Sequence, residues 1–174
     1  IDYWIRKCFM KLLIVSIDRN LFNPESRISD RFRKYGELFE KLDVIVLNTG
    51  KKEKISLGDK VTIHPTNSIS KFNYVPDAIS IGKKIDADVV SAQDAYETAL
   101  AAVPISNKIK AKLHIQIHTD VFNKEFSSQS IPNRLRAEVA KKIIPKADKI
   151  RVVSERIKRL SLIHISEPTR LSLI

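Results

Sequence analysis

The stretch Lys11-Leu-Leu-Ile-Val-Ser-Ile17 is a continuous apolar run bounded by charge, the pattern of a strand buried on both faces. A central parallel strand is the natural assignment. Downstream, Asp18 to Arg27 reads as a polar loop containing Asn20, Asn23 and Pro24. From Asp30 to Lys41, with Leu42 just beyond, Phe32, Tyr35, Leu38, Phe39 and Leu42 recur near the three-and-four spacing of an amphipathic helix. Asp43-Val-Ile-Val-Leu-Asn48 is a second apolar strand closed by Gly50. Strand, helix and strand within about forty residues make one right-handed crossover unit.

The same alternation continues. Lys51 to Lys60 is an exposed connector with room for an edge hairpin, and Lys60-Val-Thr-Ile-His64 is a third strand ended by Pro65. Pro76 to Lys84 suits a short helix, because proline fits a first helical turn. Ala87-Asp-Val-Val-Ser91 is a short strand, and Ala95 to Lys108 a small-residue helix that Pro104 is expected to kink or end. Lys112 to His118 alternates Leu113, Ile115 and Ile117 with His114, Gln116 and His118, so its second face is polar enough to border a cleft. Ser127 to Asn133 reads as a polar loop and Arg134 to Ile144 as a helix stopped by Pro145. Lys149-Ile-Arg-Val-Val-Ser154 is a last strand, with Ser154 placed to cap a helix whose first turn includes Glu155. The expectation is an α/β fold: a Rossmann-like, doubly wound, mostly parallel sheet in one domain.

Composition agrees. Hydrophobic residues make up 43% and charged residues 29%, with 4 Gly and 7 Pro, which excludes disordered and collagen-like classes. Cys8 is the only cysteine, so no intramolecular disulfide forms and no cysteine cluster holds metal; a reducing, cytoplasmic setting is the simplest reading. The formal charge of +11 suggests an anionic partner: nucleic acid, an acidic membrane surface or a phosphorylated substrate. A basic proteome, or an acidic domain elsewhere, is the alternative. The lysines are scattered, and no nucleic-acid motif of specific spacing is present, so a nucleic-acid partner is not expected.

Both ends carry sequence that reads as foreign to the domain. Residues 1–10 form neither a signal peptide nor a membrane span, and read as upstream sequence translated in frame, with Met10 as the start. Residues 160–170, Leu-Ser-Leu-Ile-His-Ile-Ser-Glu-Pro-Thr-Arg, resemble the in-frame translation of a sequencing adapter. The expected organisation is therefore a leader at 1–10, the domain at 11–159 and an adapter-derived tail at 160–174.

Three strings point to a family. Ser91-Ala-Gln-Asp-Ala-Tyr-Glu-Thr-Ala-Leu100, His114-Ile-Gln-Ile-His-Thr-Asp120 and Lys146-Ala-Asp-Lys-Ile-Arg-Val-Val-Ser154, in this order and at strand ends, resemble the N-terminal domain of glycosyltransferase family 4 proteins. The resemblance spans Met10 to Arg159. It implies the N-terminal half of a GT-B fold, in which two Rossmann-like domains face each other across a cleft. It further implies a retaining transfer of sugar from a nucleotide-sugar, bound mainly by the missing C-terminal domain, to a glycan or lipid-linked acceptor. No cofactor or protein-bound metal is implied. Peripheral contact with an anionic inner-membrane face would suit the basic helices around Arg134, Arg136, Lys141, Lys142 and Lys146; the alternative is an ordinary solvated helix surface. The competing function is a free-standing nucleotide- or sugar-phosphate-binding subunit without catalysis.

Working loops of a parallel sheet lie beyond the carboxyl ends of its strands. By resemblance, His118 is the first candidate catalytic residue, donating a hydrogen bond to the transferred sugar; the alternative is a strand-end histidine satisfied by local backbone. Asp120 either orients His118, binds an acceptor hydroxyl or serves as a turn residue. Asp94 either caps the following helix or, with Glu97, binds acceptor. Arg19 and Arg27 either bind an anionic acceptor or face solvent. Arg19 stands where the family carries a glycine-rich turn; this chain has Asp18-Arg-Asn-Leu-Phe22 and no glycine there. His114 and His118, four residues apart on a strand, are separated by about 13 Å and share no metal. His64 has no partner by spacing and is assigned a structural role.

Overall fold

The structure, a computed structural model, describes residues 10–118, 123–152 and 171–173. In chain order the elements are β1 (Lys11–Ser16), α1 (Arg27–Gly36), β2 (Lys41–Val46), β3 (Ile55–Ser56), β4 (Val61–Pro65), α2 (Tyr74–Gly82) and β5 (Val89–Ala92). There follow α3 (Glu97–Ile109), β6 (Lys112–Ile117), α4 (Lys124–Ser128), α5 (Ile131–Ile143), β7 (Lys149–Val152) and β8 (Leu171–Leu173). The strands form one sheet in the order β3-β4-β2-β1-β5-β6-β7-β8. Every neighbouring pair is parallel except β3 and β4, whose antiparallel hairpin occupies the connector between Lys51 and Lys60.

Alternate residues of the central strands serve two separate cores. Leu13, Val15, Ile45, Val90, Leu113, Ile115 and Ile150 pack with α2, α3 and α5 on one face. Ile14, Leu42, Val44 and Ile63 pack with Phe32 of α1 on the other. A sheet covered on both faces gives parallel strands the all-apolar reading seen in the sequence.

On the α1 face that apolar lining stops at β1. In register with Ile14 stand Ser91, His114 and Lys149, and two residues further along Gln116 stands opposite Arg151. One face of the sheet is thus divided into an apolar half beneath α1 and a polar half over β5, β6 and β7.

Several boundaries differ from the sequence expectation for local reasons. Ser26 Oγ accepts the Ser29 N–H at 3.1 Å and starts α1 at Arg27, three residues before the apolar periodicity. The expected loop after β1 contains a turn of 3-10 helix at Arg19–Phe22, opened by Asp18, whose carboxylate accepts the Asn20 N–H at 3.0 Å. Pro104 does not interrupt α3, which runs unbroken from Glu97 to Ile109. Ala101, Ala102, Ile105 and Ser106 around it are buried, and that packing offsets the roughly 3 kcal/mol an interior proline costs. The polar stretch Ser127 to Asn133 is not one loop: α4 ends at Ser128 and α5 begins at Ile131, where Ser130 Oγ accepts the Asn133 N–H at 3.3 Å.

His64 does have a partner. Its Nε2 lies 2.7 Å from Asp43 Oδ1, and Lys41 Nζ lies 2.9 Å from the other oxygen, so the β2–β4 pairing assembles a polar cluster around the buried Asp43 carboxylate. Burial alone would raise the Asp43 pKa, but hydrogen bonds from His64 and Lys41 outweigh it and hold the carboxyl below its usual range. Leu171–Leu173, within the segment expected to be adapter-derived, adds as a parallel strand beside β7, as apolar sequence does at an open sheet edge. Ser154, Glu155 and residues 160–170 lie outside the described residues.

Candidate functional site at the strand switch

The strand order reverses between β1 and β5: the chain leaves β1 toward β2 and β4, then returns to build outward from β5. Crevices at the carboxyl ends of strands at such a switch are where doubly wound folds bind ligands. Here Ser16 Oγ donates to Gln93 Oε1 at 2.6 Å and accepts the Asp18 N–H at 3.0 Å, tying the two strand ends together.

A cavity of about 460 Å³ opens at this point. Ile17 and Asp18 line it from the end of β1, Arg31, Phe32 and Tyr35 from α1, and Gln93, Asp94 and Tyr96 from the β5–α3 turn. Gln116 and His118 contribute from β6 and its end, and Arg151 from β7. Its volume falls within the roughly 300–1,000 Å³ of small-molecule sites.

Asp94 is the most constrained of these residues, at 9% exposure. Its Oδ1 accepts the N–H groups of Tyr96 at 2.7 Å and Thr98 at 3.1 Å, and so caps α3. Its Oδ2 is buried without a hydrogen-bond partner among the described residues. Burial is the main force that pushes the carboxyl up to about 6, opposed by the backbone donors and aided by the nearby Glu97 charge. The sequence left capping and ligand binding as alternatives for Asp94. One oxygen caps the helix while the other is unspent.

Of the other sequence candidates, His118 lines the cavity, and burial followed by the Arg151 charge lowers its pKa, favouring a neutral ring at pH 7. His114 is shifted the same way and its Nδ1 lies 2.8 Å from Ser91 Oγ, outside the cavity lining. Glu97 is taken up by Arg136, at 2.8 Å from Nε and 2.5 Å from Nη2, and the Arg136 guanidinium also lies 5.2 Å from the Tyr96 ring centroid. Arg19 does not line the cavity; its Nη2 donates to the Tyr74 hydroxyl at 2.8 Å. Arg27 is exposed at the start of α1. Asp120 lies outside the described residues.

Sequence reasoning missed Arg31, Tyr35 and Arg151 as cavity residues. The available signal was the polar parity of β6, since a parallel neighbour in register brings Arg151 beside Gln116. Among the described residues no group of three or more His, Cys, Asp or Glu side chains could hold a metal, and no helix is long and apolar enough to cross a membrane. Around the carboxyl rim of the sheet Ile17, Ile69, Phe72, Ile131 and Leu135 are exposed, Ile69 and Phe72 at 95%.

Among solved structures the chain is similar to Anabaena HepE in complex with UDP-glucose, with a TM-score of 0.59 and 13% identity, covering 95% of this chain and 43% of that one. The fold is Rossmann-like α/β. Two UDP-N-acetylglucosamine 2-epimerases share it: one from Methanocaldococcus jannaschii (TM-score 0.58, 16% identity, 95% and 45% coverage) and one from Rickettsia bellii (0.56, 14%, 95% and 44%). The chain spans less than half the length of each. No family model matches the sequence, and no curated protein matches it.

Proposed function

We propose that this chain is the acceptor-side half of a GT-B nucleotide-sugar glycosyltransferase resembling family 4, retaining in its stereochemistry, with the donor held mainly by a second domain. The observation that carries the reading is the cavity at the β1–β5 switch, which Asp94 and His118 both line, Asp94 with its Oδ2 buried and unpaired among the described residues. The shared fold with a protein crystallised with UDP-glucose supports a nucleotide-sugar donor.

In this reading Asp94 Oδ2 accepts a hydrogen bond from an acceptor hydroxyl. A neutral His118 donates to a hydroxyl of the transferred sugar, stabilising the transition state through an interaction that strengthens as charge develops. Asp120 binds a further acceptor hydroxyl, while Arg19 and Glu97 bind at the margin after leaving Tyr74 and Arg136. The acceptor is a glycan or lipid-linked saccharide, and the basic helix α5 faces an anionic membrane.

A second reading has a specific support: two of the similar solved structures are UDP-N-acetylglucosamine 2-epimerases. The experiment is to read the gene through the codon for Arg159 and assay the encoded protein with labelled UDP-sugars. Transfer to an acceptor with retained anomeric configuration, reduced about a hundredfold by His118→Ala, supports the transferase. Inversion at C2 without UDP release supports the epimerase and overturns the transferase.

A further inference from the structure

Two guanidinium groups line the cavity at the strand switch, Arg31 from α1 and Arg151 from β7, and neither has an ion pair among the described residues. By contrast Arg33 pairs with Asp30 and Arg136 with Glu97. The cavity also holds two acids. Asp18 is engaged by the Asn20 N–H, and Asp94 gives one oxygen to the α3 amides while the other has no donor. The site therefore offers planar cationic forks suited to a phosphate and, separately, a buried acceptor that needs a hydroxyl donor.

We propose that this cavity takes a ligand bearing a phosphate-type anion and a free hydroxyl together, as a phosphorylated sugar does. Arg31 and Arg151 hold the anion and Asp94 Oδ2 accepts from the hydroxyl. The inference rests on the acceptor-site reading above and narrows its substrate class from any glycan to an anionic one. Arg31 and Arg151 are specificity-determining residues in this scheme.

The test is titration calorimetry of the full chain at pH 7 and low salt with glucose 1-phosphate and with glucose, repeated on Arg31→Gln, Arg151→Gln, Asp94→Asn and, as a charge control, the exposed Lys84→Gln. The expected result is that glucose 1-phosphate binds at least about tenfold more tightly than glucose, a difference of about 1.4 kcal/mol. Each cavity arginine variant removes most of that preference, Lys84→Gln keeps it, and Asp94→Asn weakens both sugars by a similar factor. Arg31 is exposed on α1, so Arg31→Gln keeps the test valid even where Arg151→Gln disturbs β7. In a parallel arm, phosphatidylcholine vesicles containing phosphatidic acid replace the sugar phosphate. Arginine-dependent binding stronger there than to glucose 1-phosphate supports the anion site with the phosphate on a lipid, and the reverse supports a soluble sugar phosphate. Equal binding of glucose and glucose 1-phosphate, lost in Asp94→Asn, overturns the anionic class while the acceptor site stands. Equal loss in Lys84→Gln also overturns it, by reducing the effect to net charge. Failure of the sugars and the vesicles to bind overturns both readings.

Discussion

Asp94→Asn isolates the energetic effect of a single buried oxygen. The carboxyl ionises near the ordinary 3.8 in the unfolded chain and at about 6 in the folded one, chiefly because burial disfavours its charge. A folded pKa raised above the unfolded value means that the Asp94 contribution is intact below pH about 4 and is lost as pH rises through about 6. At about 1.4 kcal/mol for each factor of ten in proton affinity, the loss approaches about 3 kcal/mol by pH 7.5. Asparagine keeps an oxygen for the Tyr96 and Thr98 amides and never ionises. Urea unfolding of both proteins from pH 4 to 7.5 should therefore show wild-type stability falling by about 3 kcal/mol relative to the variant, other carboxylates cancelling because both chains share them. Parallel stability curves would refute the claim that Asp94 is buried with an unpaired oxygen.

Gly82→Ala should destabilise by about 1–3 kcal/mol in thermal or urea unfolding, because a Cβ there would sit 2.5 Å from Ile105 Cδ1 and 2.8 Å from Cγ1. Trimming the obstruction with Ile105→Val in the same chain should recover part of that loss, whereas additive losses would show that the α2–α3 approach is looser than described. Asp43→Ala should cost about 1–3 kcal/mol at pH 7 by stranding the His64 ring nitrogen. Since the Asp43 pKa is lowered on folding, its contribution is present above the ordinary 3.8 and lost as pH falls through the lower folded value, so the two proteins should converge only in strong acid. Arg136→Ala should cost no more than about 1 kcal/mol in the same assay, because the Glu97 pair it breaks is more than a third exposed on both sides.

The strands were legible because each is written as a local run: Leu12 to Val15, Val44 to Val46 and the alternation of β6 need no distant information. Helix starts were less so. The onset of α1 is set by Ser26 reaching Ser29, a polar contact that leaves no trace in the apolar spacing, and α4 is a polar segment capped by Asn123 with almost no apolar stripe to betray it. Pro104 misled because the burial that tolerates it comes from partners elsewhere in the chain. In the site, Asp18, Asp94 and His118 were readable as strand-end residues. Arg31 was not, and Arg151 only through the parity of β6: one lies within a helix, the other within a strand, and the packing of α1 over the sheet sets them around the same space.

The hairpin at the β3 edge has a consequence for behaviour in concentrated solution. A strand of two residues, flanked by Lys51-Lys-Glu-Lys54 on one side and Asp59-Lys60 on the other, presents too few free amides and too much charge to recruit a foreign strand. Edge-to-edge polymerisation through that margin is therefore blocked at both ends of the hairpin, and amyloid-like growth would have to begin at the opposite side of the molecule.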